Sequence, residues 1–198
     1  VISSLQDQLG MPVKPFIATD YNGIIEALRA KKLDVAYLGP FSYVLASSVA
    51  NVEAFSVAET KKNGKSFYKS LIIVRKDSGI QNIEQLKGQT MAFVDPTSAS
   101  GHLFPSAGLR KNNIDPNKYF SRVIFSGSHD ASILAVANKK VDAAAVADRI
   151  LASAIAKGVV KESDFNIVWA SPDIPESPMV WRKDLDPALK KKIAAAFA

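Results

Sequence analysis

Short apolar runs alternate with amphipathic runs along nearly the whole chain, and this alternation constrains the fold more than any other feature. Most apolar runs have the length of a buried strand, and many are followed by a turn and by apolar residues at helical spacing. This order predicts an α/β protein with mostly parallel sheets flanked by helices. The predicted strands are residues 12–18, 34–38, 52–59, 68–74, 90–94, 122–125, 141–146, 165–170 and 179–181. The predicted helices are residues 1–9, a helix capped by Thr19 or Asp20, 41–48, 82–87, 101–112, 130–138, 149–157 and a last helix from 187.

Two successive sets of these elements predict two small α/β lobes that face each other across a cleft. We assign residues 1–70 and 176–198 to lobe 1, and residues 71–175 to lobe 2. The sequence shows no internal repeat and no low-complexity segment.

Composition excludes several classes of protein. The 198 residues contain no cysteine, which excludes disulfides, thiolate metal sites and a cysteine nucleophile. No run of about 18 apolar residues suggests a membrane span, and no signal peptide is visible, as would also hold for a processed secreted protein. The net charge is +6, but its lysines are scattered over predicted helix ends and turns, without interleaved aromatic residues. We therefore expect no nucleic-acid partner, although a mild positive field would help to collect an anion.

Four predicted strand-to-helix turns carry hydroxyl groups or small residues. In α/β sheets the ligand crevice lies at the carboxyl ends of the strands, where helix starts present unpaired N–H groups and a positive dipole. Several such turns around one cleft would bind an anion without many charged side chains. The four turns are Thr19-Asp20-Tyr21, Gly39-Pro40-Phe41-Ser42, Asp95-Pro-Thr-Ser-Ala-Ser-Gly101 and Ser126-Gly-Ser-His-Asp130.

The loop at residues 95–101 gives the sharpest indication of an oxyanion site. Ser98 and Ser100 offer hydroxyl donors, and Gly101 would let the backbone approach a ligand closely. The alternative is that either serine simply caps the following helix. The loop matches neither the P-loop nor the Gly-x-Gly-x-x-Gly pattern.

Four further side chains are candidates near the predicted crevice. His129 lies at a predicted helix start beside Asp130, the expected cap, and could instead be a surface histidine. Asp148 follows a buried strand and could equally be a helix cap. Tyr21 and Tyr68 lie near strand ends and could instead belong to the core. The two histidines have no acidic partner at ligand spacing, so we predict no metal.

Taken together, these segments resemble the substrate-binding proteins of phosphonate-type ABC importers, which have the type II periplasmic binding-protein fold. The similarity runs through nearly the whole chain and depends on the order and spacing of its motifs. The motifs are Ala18-Thr-Asp-Tyr21-Asn-Gly-Ile-Ile, Asp34-Val-Ala-Tyr-Leu-Gly-Pro-Phe41, Leu71-Ile-Ile-Val-Arg-Lys-Asp-Ser78, Asp95-Pro-Thr-Ser-Ala-Ser-Gly101, His129 with Ala135-Val-Ala-Asn-Lys-Lys-Val-Asp142, and Ile174-Pro-Glu-Ser-Pro-Met-Val-Trp-Arg182.

The resemblance implies a site in which the phosphorus-bound oxygens are held by hydroxyls, a histidine and helix N–H groups. These positions fall on Tyr21, Tyr68, Ser98, Ser100 and His129. His129 is expected to be a proton-dependent donor with the ordinary histidine pKa of about 6.5. Such proteins use no cofactor, are monomers, and deliver a ligand to a membrane permease from the periplasm or from a lipid-anchored extracytoplasmic position.

The sequence departs from the family pattern at two ligand positions. Ala99 stands where threonine is common, so one hydroxyl contact is lost while the backbone N–H remains. Relatives that bind aminoalkyl phosphonates place two carboxylates around the ammonium group. The second position is Ser177 in this chain, and the first falls near Asp148 or Arg149. An unpaired buried ammonium group is costly, so we expect phosphite, methylphosphonate or phosphate. Asp148 could accept a proton from such an oxyanion and so reject sulfate.

The resemblance also implies a hinged trap without covalent chemistry. Lobes joined near residues 60–70 and 170–178 would close on the ligand, and the permease would recognise the closed form. Members of the family usually have a strand before the segment that corresponds to Val1, so lobe 1 is expected to lack that strand. The alternatives are a ligand-sensing domain of a signalling protein and, less favoured, a hydrolase that uses Ser98 or Ser100 with His129. A porphobilinogen-polymerising deaminase of similar architecture is disfavoured because it attaches its cofactor to a cysteine.

Overall fold

The computed structural model describes residues 2–59, 64 and 66–198, and its strands and helices follow the predicted order closely. The helices are α1 (Ile2–Leu9), α2 (Tyr21–Arg29), α3 (Pro40–Val49), α4 (Phe104–Lys111), α5 (Pro116–Tyr119), α6 (His129–Ala137), α7 (Asp148–Ala156) and α8 (Pro187–Ala196). The strands are β1 (Val35–Tyr37), β2 (Val52–Val57), β3 (Phe67–Tyr68), β4 (Ser70–Arg75), β5 (Thr90–Phe93), β6 (Arg122–Phe125), β7 (Ala143–Ala147), β8 (Phe165–Ala170), β9 (Ile174–Pro175) and β10 (Pro178–Arg182). Single helical turns of other types occur at Lys76–Ser78, Ile83–Leu86, Ala99–Leu103 and Glu162–Asp164.

The chain divides into two compact units, unit 1 (Val1–Gly64 with Ser177–Ala198) and unit 2 (Lys65–Glu176). The predicted boundary at residue 70 differs from this division, because Ser70 begins a strand in the sheet of unit 2. Tyr68 therefore belongs to unit 2 and not to the first part of the chain. Residues 60–63 and 65, which the predicted hinge segment 60–70 includes, lie outside the described residues.

Unit 1 contains a three-stranded sheet in the order β1-β10-β2. β10 runs antiparallel to both neighbours, so the prediction of mostly parallel strands is wrong for this sheet. The apolar pattern predicts which residues form strands, but strand direction depends on the route by which the returning C-terminal segment enters the sheet. Ile25, Leu28, Ala46 and Val180 pack together in the core between the sheet and helices α2 and α3.

Unit 2 contains a five-stranded mixed sheet in the order β6-β5-β7-β4-β8. β5 pairs in parallel with β6 and β7, whereas β4 runs antiparallel to β7 and β8. The prediction of a mostly parallel sheet thus holds for only half of these pairings. A separate two-stranded ribbon joins β3 to β9.

Strand β4 has helices or turns against both of its faces, as its continuous apolar sequence predicts. Ile73 packs into a cluster that includes residues of α6 and α7, and Ile72 packs into a second cluster that includes Leu109 of α4. Both isoleucines are fully buried, and each contributes roughly 1.5–3 kcal/mol of transfer free energy. This burial on both faces holds the ends of β4 and its neighbours in fixed positions.

The predicted strand at residues 12–18 is wrong. These residues form no ladder with any described strand, and Ile17 is 90% exposed. Extended backbone becomes a strand only when a neighbouring strand accepts its hydrogen bonds, and the apolar pattern alone does not provide one.

Candidate functional site

Several strand ends meet at one edge of the sheet in unit 2. Strands β5 and β6 finish side by side at Phe93 and Phe125, and the first residue of β4, Ser70, pairs with the last residue of β7, Ala147. Because β5 is parallel to β7, all four ends lie at the same edge. The predicted site residues of unit 2 are adjacent to these ends, namely Tyr68, Ser98, Ala99, Ser100, His129 and Asp148. The structure therefore gathers six of the seven predicted residues in one region.

The Ser98–Ser100 loop opens a helical turn that leads into α4. Ser98 Oγ accepts a hydrogen bond from Gly101 N at 2.9 Å, so Ser98 is the cap that the alternative interpretation expected. A hydroxyl that accepts one bond still carries its own O–H donor, so this capping role is compatible with donation to an oxyanion. Ser98, Ala99 and Ser100 are all buried, and the first N–H groups of a helical turn have no acceptor within the turn.

Gly101 is required for packing inside unit 2, which differs from its predicted role. A Cβ atom at this position would collide with the side chain of Val94 and with Ser98 Oγ. The carbonyl oxygen of Gly101 also accepts the N–H of Val94 at 2.9 Å. The glycine thus lets the loop fold back onto the end of strand β5, and this close contact positions the two serines.

Ser70 connects the loop to strand β4, a link that the sequence did not predict. Its Oγ donates to the carbonyl oxygen of Ser100 at 2.6 Å, and its N–H donates to Ser171 Oγ at 2.9 Å. Ser70 is fully buried. A serine that begins an otherwise apolar strand was the only signal in the sequence, and its partners are far away along the chain.

His129 is held as a neutral imidazole at the first position of α6. Its Nδ1 accepts the N–H of Ala147 at 3.0 Å, which leaves the ring proton on Nε2. Burial and, as the smaller cause, the charge of the nearby Arg149 lower the pKa of His129 to about 4. The expected ordinary pKa is therefore wrong, since this imidazole is an uncharged N–H donor at neutral pH. The helix is capped by Ser128 Oγ, which accepts from Ala131 N, and not by Asp130 as predicted.

Asp148 fixes the backbone just before strand β4. Its Oδ1 accepts the N–H groups of Lys69 at 3.0 Å and of Arg149 at 2.7 Å. Its own N–H donates to the carbonyl oxygen of Lys69 at 2.9 Å. Asp148 is thus the first residue of α7 and tethers the connection between β3 and β4, next to Tyr68.

Arg149 and Glu176 form an ion pair beside Tyr68 that the sequence did not place in the site. The guanidinium carbon of Arg149 lies 4.6 Å from the centroid of the Tyr68 ring. Its Nε lies 3.2 Å from Glu176 Oε1. Tyr68 and Glu176 are buried, whereas 32% of the Arg149 side chain is exposed. The partners are distant in sequence and Glu176 lies in a proline-rich segment, so no local pattern in the sequence indicated this pair.

Tyr21, the seventh predicted residue, belongs to unit 1 and is described with that unit alone. It is the first residue of α2, whose cap is Asp20, as predicted, through a 2.8 Å bond from Gly23 N to Oδ1. A Cβ atom on Gly39 would lie 3.9 Å from Tyr21 Cε2. The tyrosine therefore lies beside the turn that begins α3, another of the four predicted anion-binding turns.

Within the described part of the chain, no group of three or more His, Asp or Glu side chains is placed to hold a metal ion. Among the same residues, none of the helices has both the length and the apolar content that spanning a bilayer requires. The region at the sheet edge offers hydroxyl, imidazole and backbone N–H donors, together with the half-buried Arg149–Glu176 ion pair. This arrangement suits an oxyanion held by neutral donors.

Comparison with known proteins identifies the relatives of this chain. The chain is 37% identical over 201 residues to the phosphonates-binding periplasmic protein of Escherichia coli K12, an alignment that covers 99% of this chain and 59% of the relative. It is 32% identical to the phosphate-import protein PhnD of Mycolicibacterium smegmatis, over 100% of this chain and 64% of the relative. The chain thus spans about three fifths of the length of these two relatives.

A solved structure shows the same fold. The binding protein component of an ABC phosphonate transporter from Pseudomonas aeruginosa superposes with a TM-score of 0.92 at 36% identity, and the match covers 98% of this chain and 65% of that one. The fold is that of the type II periplasmic binding proteins, as the resemblance implied. Residues 1–198 also match the family described as ABC transporter, phosphonate, periplasmic substrate-binding protein. The chain belongs to this family of phosphonate-type periplasmic substrate-binding proteins.

Proposed function

We propose that this chain binds a small phosphorus oxyanion in the periplasm, or at a lipid-anchored extracytoplasmic position, and delivers it to the permease of an ABC importer. The observation that carries the proposal is the gathering of Tyr68, Ser98, Ser100 and His129 at one edge of the unit 2 sheet. Relatives named for phosphonates and for phosphate support the class of ligand. In this role the chain would act as a monomer and would need no cofactor, metal or nucleic acid.

The proposed ligand contacts follow from the donors of the site. Ser98 and Ser100 would donate hydroxyl protons, Ala99 a backbone N–H, and His129 its Nε2–H, while Tyr21 and Tyr68 would add phenolic donors. The backbone N–H groups at the helix N-termini add partial positive charge to the site. Asp148 is proposed to accept the proton of a monoprotonated oxyanion. Its engaged Oδ1 fixes the carboxylate for this purpose.

The His129 tautomer argues against a hydrolase. A histidine that activates a serine needs a lone pair on the nitrogen facing the hydroxyl and an acid that orients the other nitrogen. In this chain Nδ1 receives a backbone N–H, so Nε2 already carries the proton. Such an imidazole can donate to an oxyanion but cannot accept a proton through Nε2. Binding without covalent chemistry is therefore the better supported function.

Calorimetric titration of the purified protein tests the proposed function. We expect saturable binding of at least one of phosphite, methylphosphonate and phosphate, with 2-aminoethylphosphonate weaker than the best of them and sulfate not competing. The variant Ser98→Ala should lower the affinity by about ten-fold or more, because one desolvated donor to a charged oxygen is lost. The variant Ser153→Ala, on helix α7 away from the strand ends, is the matched control. Failure of all three anions to bind would refute the proposal.

A further inference from the structure

Arg149 places a fixed positive charge against one of the proposed ligand tyrosines. Its guanidinium carbon is 4.6 Å from the Tyr68 ring centroid, at a distance typical of a cation–π contact. Arg149 also contributes to the lowered pKa of His129, so its charge acts across the site. Because 32% of the Arg149 side chain is exposed, a ligand can still reach the guanidinium group.

Glu176 holds this charge in place. Its carboxylate is buried and lies 3.2 Å from Arg149 Nε. The backbone of Glu176 is itself fixed, because its N–H donates to the carbonyl oxygen of Ser66 at 2.9 Å beside the β3–β9 ribbon. The carboxylate is thus directed at its guanidinium partner. The ion pair therefore occupies the carboxylate that could otherwise bind a cationic ligand group.

We propose that the Arg149–Glu176 pair determines specificity by excluding phosphonates with a cationic substituent and admitting those whose substituent is uncharged or anionic. This inference rests on the proposed function and identifies the class of substituent accepted by that same site. A ligand ammonium group near Tyr68 would meet the guanidinium, and like charges at close range in a partly desolvated site repel strongly. An alkyl group meets no such repulsion.

A matched pair of ligands isolates this effect. Propylphosphonate and 2-aminoethylphosphonate have nearly the same shape, because a terminal methyl group in one replaces the ammonium group in the other. The ratio of their dissociation constants therefore reports the effect of charge, whereas a general loss of site structure weakens both ligands together. For the unaltered protein we expect propylphosphonate to bind more tightly by about ten-fold or more.

Three variants change the charges of the pair separately. Glu176→Gln removes the negative charge of the pair but keeps the guanidinium, and should increase the preference for propylphosphonate. Arg149→Met keeps an apolar side chain over Tyr68 but removes the positive charge of the pair, so the preference should reverse toward 2-aminoethylphosphonate. Arg149→Met combined with Glu176→Gln removes both charges and should bring the ratio close to one. Arg110→Met removes a charge from an exposed position of α4 and should leave the ratio unchanged.

Calorimetry with both ligands on all five proteins decides between the outcomes. The inference is supported if the ratio of the two dissociation constants changes in the stated direction in each variant of the pair. Equal ratios in all proteins that bind would overturn it while leaving the proposed function intact. Failure of the unaltered protein to bind any phosphorus oxyanion would overturn both.

Discussion

His129 shows how its surroundings determine what a titratable side chain can do. The residue type predicts a group that changes charge near neutral pH. In the structure, burial and the hydrogen bond from Ala147 N favour the neutral ring, and the charge of Arg149 acts in the same direction. The imidazole therefore offers the same N–H donor over the whole neutral range, and ligand affinity should not require its protonation.

The lowered pKa of His129 should make the free energy of unfolding of unit 2 depend on pH. The unfolded chain takes up a proton at His129 near pH 6.5, whereas the folded protein resists it until about pH 4. Stability is therefore lost as the pH falls through this window, by about 3 kcal/mol in all. The variant His129→Asn can still accept from Ala147 N but does not titrate, so it should lack this part of the pH dependence.

Urea unfolding of both proteins between pH 7.5 and pH 4 provides the measurement, and the carboxylates common to both cancel in the difference. A constant difference in unfolding free energy across this range would contradict the lowered pKa of His129.

At the level of elements, the turn at Ala99–Leu103 shows how backbone packing builds the site. The sequence predicts a helix from residue 101, and the structure begins a wider helical turn at Ala99 before α4. Gly101 allows this turn to lie against Val94 at the end of β5. Ser70 then anchors the turn from strand β4 through the Ser100 carbonyl oxygen. Three elements thus position the two serines, and the anchor from β4 comes from a residue far away along the chain.

The variant Gly101→Ala tests this packing. The added methyl group must displace Val94 or the loop, so we expect a loss of stability of about 1–3 kcal/mol and a weaker affinity for the oxyanion. Gly158→Ala is the comparison, because Gly158 has a φ of +70° with no atom near the added Cβ. That variant should lose about 1–2 kcal/mol through backbone strain alone and keep its affinity. Denaturant unfolding and calorimetry measure the two effects, and unchanged affinity in Gly101→Ala would disprove the positioning role.

At the scale of the whole molecule, the net charge of +6 should act on the rate of capture. Long-range attraction of an anion is screened by salt beyond a Debye length of about 10 Å at 0.1 M ionic strength. Hydrogen bonds in a desolvated site are screened far less. We therefore expect the association rate for phosphite, or for whichever oxyanion binds, to fall as salt rises, while the dissociation rate changes little.

Stopped-flow measurements over a series of sodium chloride concentrations give both rates. Potassium chloride at the same ionic strengths controls for specific effects of the cation. An association rate independent of salt would show that local contacts alone govern capture.

The sequence by itself determined the class of the fold and most of its elements. Strands β6 and β8 begin and end where the apolar runs predicted, because burial, propensity and capping are local properties that the residues carry with them. The motifs also identified the family, and six predicted site residues lie at one sheet edge because that edge collects the ends of neighbouring strands.

Only the tertiary structure decided the direction of the strands and showed that residues 12–18 join none of the described sheets. It also decided the tautomer of His129 and the pairing of Arg149 with Glu176. Each of these depends on groups that are far apart in sequence. Antiparallel pairing requires a particular route of the returning chain, and a strand needs a neighbour to accept its hydrogen bonds. A pKa or an ion pair is set by the atoms that surround the group after folding. Periodicity and spacing along the chain contain no information about such neighbours.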